Sequence, residues 1–120
     1  MDRDMDTIRK IVLAVKAANG HITRVDGVTQ EVFAYHAALL QEAGLAKCHI
    51  EEDSDSPSAI PSIAVIWRLT WAGHDFADSI KDENLWDKAK TNVLKPAASW
   101  TFGVLLEYLK QEILRRVGVD

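Results

Sequence analysis

Apolar residues recur along the chain at two different spacings, and the switches between them mark out the elements. Met5, Ile8, Ile11, Val12, Val15 and Ala18 fall at three- and four-residue steps. That spacing predicts one amphipathic helix over 5–18. Asp4 stands where a cap is needed, and Asp6 suits the positive end of the helix dipole. Asn19-Gly20 predicts the stop, with Gly20 in the left-handed conformation. HITRVDGV (21–28) alternates weakly, which predicts a short strand at 22–25 and a turn at Asp26-Gly27. Thr29 then caps a helix over 30–43, with Val32, His36, Leu39, Leu40 and Ala43 as its apolar side. Gly44 closes that helix, and Leu45 packs back over its last turn.

The period changes to two after Gly44. Strands are predicted at 46–51 and 63–69, and in the second Ile63, Val65, Trp67 and Leu69 share a face. Between them, EEDSDSPSAIPS is rich in Ser, Pro and acid and predicts an irregular loop. The helical period then returns three times. Thr70 caps a helix over about 71–81 with Phe76, Ala77 and Ile80 inward. Asp82-Glu83-Asn84 interrupts it, and a helix over 85–94 offers Leu85, Trp86, Ala89 and Val93. Pro96 stops that pattern because it has no amide hydrogen. Ser99 is the expected cap of a last helix to 117, with Phe102, Leu105, Leu106, Leu109, Ile113 and Val117 in one stripe.

Helix, "AGL", strand, acidic loop, strand, "LTxxG", helix is the chain order of a winged helix, with the loop as its wing. The expected class is α+β, mostly α. One domain covers 1–120, with a winged-helix-like core over about 5–81 and a helical extension over about 84–118. The stretch before the second helix leaves no room for the extra short helix of a standard helix-turn-helix. Leu39, Leu40, Leu45, Val65, Trp67, Leu69 and Phe76 are expected to be buried together.

Composition narrows the setting. At 120 residues, with 48% apolar and 27% charged residues, the chain has the length and balance of a single globular core. One cysteine, Cys48, excludes an internal disulfide framework and points to a reducing compartment. The start, MDRDMD, is acidic and unlike a secretory signal, and no apolar run is long enough to span a bilayer. A cytoplasmic protein with no membrane partner is expected.

Candidate chemistry is sparse. Cys48 and His49 are neighbours on a strand and point to opposite faces, and no CxxC, HxxxH or HExxH spacing occurs, so no metal is expected. His36 lies on an apolar stripe and reads as a buried histidine bonded to a neighbour. There is no glycine-rich phosphate loop and no catalytic constellation, so neither cofactor nor enzyme activity is expected. Trp67, Trp71, Trp86 and Trp100 each lie beside an apolar pattern and read as core.

The net charge is −4, and its distribution matters more than its size. The second helix carries Glu31 and Glu42 and no Lys or Arg; the wing carries Glu51, Glu52, Asp53 and Asp55. These surfaces repel phosphates. If DNA binds, the candidates are Arg9, Lys10, Lys16, Lys88 and Lys90, and the acidic wing is not used. Phe102, Leu106 and Leu109 on the last helix are the candidate interface of a homodimer.

RDMDTIRKIVLAV, YHAALLQEAGL and RLTWAGHDFADSIKDENLWDKAK, in that order, resemble a family of short proteins from bacteria and their prophages, a domain of unknown function. The resemblance covers most of residues 3–95 and implies no catalytic residues. More broadly the order resembles winged-helix regulators. That implies a DNA-binding transcriptional regulator of phage or prophage origin. The alternative is a winged-helix module that binds a host or phage protein and not DNA, which the acid on both reading elements favours.

Overall fold

The computed structural model describes residues 1–52, 60–95 and 101–117. The order is α1 (Met5–Ala17), α2 (Gln30–Glu42), β1 (Ala46–Glu51), β2 (Ile63–Leu69), α3 (Trp71–Ile80), α4 (Glu83–Ala89), a π-helical stretch Lys90–Leu94, and α5 (Phe102–Arg116). This is an α+β chain, mostly α, with a winged-helix-like order of elements. It divides into two compact units, Met1–Ala77 and Asp78–Asp120. Among the described residues no helix is long and apolar enough to cross a membrane. Most of the wing, and with it Asp53 and Asp55, lies outside the described residues, as do Ser99 and Trp100.

In the first unit, α1 buries Met5, Ile8, Ile11, Val12 and Val15, the expected stripe. Asp4 caps it by accepting from the amides of Asp6 and Thr7. Its end differs from expectation. Gly20 does not take the left-handed conformation; the helix stops at Ala17, and Ala18 turns extended at ψ 146° while its N–H still bonds Ala14 and Val15. The chain leaves in extended form, so no left-handed residue is needed. The strand expected at 22–25 is a single bridge, with Ile22 and Ile66 exchanging both backbone hydrogen bonds at 3.0 Å. No helix lies between α1 and α2; a turn closed by Val28 N–H to Val25 O occupies that place, with Gly27 at φ 80°.

Thr29 caps α2 through the amide of Val32. The buried side of α2 is Phe33, Ala34, His36, Ala37 and Leu40, rotated from the expected stripe. Leu39 is half-buried and Ala43 exposed. The helix is apolar over a wide arc, so its period does not select a face; the elements packed on it do.

Two motifs then interlock. Gly44, at φ 74°, ends α2, with Leu45 N–H bonding Leu40 O and Gly44 N–H bonding Gln41 O. This is the paired bonding that satisfies the last carbonyls of a helix. Thr70 donates its hydroxyl to Gly44 O at 2.6 Å and its amide to Leu45 O at 2.9 Å, while its Oγ1 accepts from Gly73 N–H and caps α3. A Cβ on Gly73 would be driven into the Leu45 carbonyl oxygen. "AGL" and "LTxxG" are therefore two halves of one backbone joint.

β1 and β2 pair antiparallel, but Lys47 faces Arg68 while Cys48 faces Ile66, so β2 carries one extra residue, Trp67. This bulge reverses the expected face. Ala64, Ile66 and Leu69 are buried; Val65 is half-buried and Trp67 is 53% exposed. From 63 to 67 every residue is apolar, so alternation had no polar phase to lock onto, and the bulge lets Leu69 re-enter the core two positions after an outward Trp67. Trp71, the first residue of α3, is 85% exposed and also not core.

In the second unit Asp82 caps α4 through the amide of Leu85. Leu85, Trp86, Ala89 and Val93 are buried as expected, but from Lys90 the helix widens to π geometry, with Lys95 N–H bonding Lys90 O. Thr101 caps α5 through the amide of Val104, in place of the expected Ser99, and the helix starts at Phe102. Its buried residues are Leu105, Leu109 and, unexpectedly, Glu112.

Candidate functional site at the bulge of β2

The bulge turns Trp67 and Arg68, successive residues, both toward solvent, where a regular strand would place them on opposite faces. Beside them the end of α1 contributes Lys16, the segment after it Asn19, and α3 His74. Together they line an open cleft of about 270 Å³. The His21 ring meets Trp67 edge to face, with centroids 5.3 Å apart and planes at 64°. Arg68 donates one Nη1 hydrogen bond to Leu69 O at 3.3 Å, and Lys47 faces Arg68 across the hairpin. A guanidinium carries five donors, so one backbone bond orients it without exhausting it. None of the nine residues lining the cleft is acidic. What this arrangement can do is bind: it offers an aromatic face rimmed by cations.

A second hollow, of about 380 Å³, lies between the start of α2 and the base of the wing, lined by Gln30, Glu31, Ala34, Ile60, Pro61 and Ser62. Among the described residues that line it, Glu31 alone is charged. The exposed ends of α2 present Gln30, Glu31, Gln41 and Glu42.

The residues singled out from sequence are divided between the units. Arg9, Lys10 and Lys16 lie on α1 in the first, with Arg9 and Lys16 two turns apart on one side of the helix. Lys88 on α4 and Lys90 in the π-helical stretch lie in the second. Lys88 Nζ is 3.6 Å from Glu112 Oε2. Of the three residues named for self-association, Leu106 is exposed, Phe102 half-buried and Leu109 fully buried. Trp67 and Arg68 were missed. Their adjacency was visible, but strand alternation sends neighbours to opposite faces, and only the bulge overrides that.

His36 and Cys48 have structural partners. His36 is buried, with Nε2 accepting from Asp4 N–H at 2.9 Å and Nδ1 donating to Val32 O at 2.8 Å, which fixes its neutral tautomer. It ties the start of α1 to α2. Burial pushes the Cys48 thiol up to about 11, and its Sγ points at Ala37 O, so it is a poor nucleophile at neutral pH. Among the described residues no group of three or more His, Cys, Asp or Glu could hold a metal ion.

Residues 2–99 match the family described as Hypothetical protein (DUF2513). The chain is also similar to an "Uncharacterized protein" of Haemophilus influenzae (strain ATCC 51907 / DSM 11121 / KW20 / Rd), 34% identical over 100 residues, covering 78% of this chain and 79% of that protein. No solved structure matches.

Proposed function

The chain belongs to the DUF2513 family, and we propose on that premise that it is a non-catalytic, protein-binding module of winged-helix-like fold that works in the cytoplasm. The observation that carries this reading is the exposure of large apolar side chains on β2 and at the start of α3. Ile63 is 47% and Trp67 53% exposed on β2, and Trp71 is 85% exposed as the first residue of α3, all within the first unit. Large apolar side chains cost free energy in water, and exposed clusters of them mark interaction surfaces. Trp and Arg are also the residues that most often dominate binding between proteins.

The second reading is a DNA-binding transcriptional regulator of phage or prophage origin. It is favoured by the order of elements and by Arg9, Lys10 and Lys16 on one helix, and weakened by the acids on α2 and at the base of the wing. Affinity purification with the intact chain separates the two. A partner protein is expected to be retained by the wild type and by Arg9→Glu/Lys10→Glu, and lost from Trp67→Ala/Trp71→Ala. Purified partner and chain should then bind in calorimetry. Submicromolar, salt-dependent binding of duplex DNA that survives the tryptophan changes and is abolished by the charge changes would select the regulator instead.

We also propose that the chain forms a homodimer through α5. Of the residues expected at that interface the fully buried Leu109 takes no part; Leu106 and, two turns on, Leu114 are 37% and 42% exposed, apolar surface that a second copy would cover. Sedimentation at micromolar concentration should show the dimer, and Leu106→Glu should dissociate it; a monomer throughout removes the proposal.

A further inference from the structure

We infer that the cleft at the β2 bulge takes an acidic segment of a partner protein, with carboxylates at Lys16 and Arg68 and an apolar side chain laid over Trp67. This rests on the protein-binding reading and names the chemistry of the partner.

Three observations converge on it. The first is the bulge itself. An inserted residue breaks the ladder, and it is found where a strand must re-aim a side chain. Here it puts an aromatic ring and a guanidinium side by side on the surface. The second is charge. The chain is net −4, yet of the nine described residues lining the cleft two, Lys16 and Arg68, are cations and none is acidic, and Lys47 stands across the hairpin from Arg68. The sign is reversed locally, so a complementary partner segment is anionic. The third is size. About 270 Å³ is below the range of roughly 300–1,000 Å³ typical of small-molecule sites and suits a few side chains of an extended segment. Nucleic acid is the weaker occupant. Its binding needs many phosphate contacts, and this surface brings few cations on a negatively charged chain.

The test is an NMR titration of the ¹⁵N-labelled full chain with three synthetic peptides. Each has a central Leu-Phe pair, flanked by Glu in one, Gln in another and Lys in the third. The Glu peptide should shift the Trp67 indole N–H and the Lys16 and Arg68 amides, at least about tenfold more tightly than the Gln peptide. Added salt should weaken it. Lys16→Glu/Arg68→Glu, both on the surface and checked for an unchanged spectrum elsewhere, should reverse the preference toward the Lys peptide. Equal binding of the Gln and Glu peptides at Trp67 would overturn the acidic partner while leaving the protein-binding reading in place. Shifts of these signals by single-stranded or duplex DNA, with none from any peptide, would overturn both. Concentration-dependent shifts of the Trp67, Lys16 and Arg68 signals without added peptide would make a second copy the occupant and overturn the inference. So would the absence of any response.

Discussion

In the first unit, two elements touch backbone to backbone. The end of α2 and the start of α3 approach so closely that Gly73 has no space for a Cβ, and Thr70 bonds the carbonyls of both Gly44 and Leu45. The second unit joins its elements through side chains. Asp82 reaches Arg116 at 2.8 Å, Asn92 donates to the Tyr108 hydroxyl at 2.8 Å, and Glu112 pairs with Lys88 at 3.6 Å. A backbone joint tolerates no added atom, because neither side can rotate away. A side-chain joint with at least one exposed partner can loosen, be screened, or be replaced. Tolerance to substitution should therefore differ sharply between the units.

The largest effect is expected at Gly73→Ala. The methyl group meets a main-chain carbonyl, so α3 or the hairpin must shift, and a loss of about 3 kcal/mol or more is expected. Urea unfolding measures it. A loss below about 0.5 kcal/mol, the range of ordinary surface changes, would remove the contrast between the two joints. Leu40→Ala comes next. Leu40 is 1% exposed and its carbonyl anchors the turn at Gly44–Leu45, so a loss of about 2–5 kcal/mol is expected from the cavity alone. Hydrogen exchange should show lost protection concentrated in α2, β1 and β2 and little change in α5.

The smallest effect belongs to the second unit. The Asp82 carboxyl lies below its ordinary value of 3.8, first because the Leu85 amide donates to it and then because Arg116 does. A lowered folded pKa means that this group's stabilisation is complete above about 3.8 and is lost as the pH falls through the lower folded value. Asp82 is exposed, so the effect is small and screened by salt. Asp82→Asn keeps a capping oxygen and should flatten the acid limb of the stability curve below about 3.8 without moving the neutral plateau much. An unaltered acid limb would show that the Asp82–Arg116 pair does not join α4 to α5.

How legible the molecule was varied with the residue. Asp4, Thr29, Thr70 and Asp82 all sit at helix starts marked by the pattern, and three of them were read as caps from sequence. Gly44 was readable as a left-handed helix end because no apolar periodicity continues through it, whereas Gly20 looked the same and is not left-handed. The difference lies in where the chain goes next, toward the Ile22–Ile66 bridge, which is not a local property. Glu112 was not singled out, although it stands three residues after Leu109 and seven after Leu105 on the same side of α5; it is buried, with the ammonium of Lys88, 24 residues earlier, beside it. The candidate site was half visible. Lys16 stood out as a cation off the α1 stripe, while Trp67 was assigned to the wrong side of its strand.

The sequence by itself determined most of the elements, most of their caps and ends, and the inward stripe of α1. These depend on residues a few positions apart, whose spacing and hydrogen-bonding groups act before any distant contact forms. The tertiary structure alone decided which faces of α2 and β2 turn inward, where β2 bulges, and that the ring of His36 receives the amide of Asp4, 32 residues away. A stretch apolar on every side has no preferred face of its own. Its orientation is set by what packs against it, and in β2 that choice left Trp67 and Arg68 facing solvent.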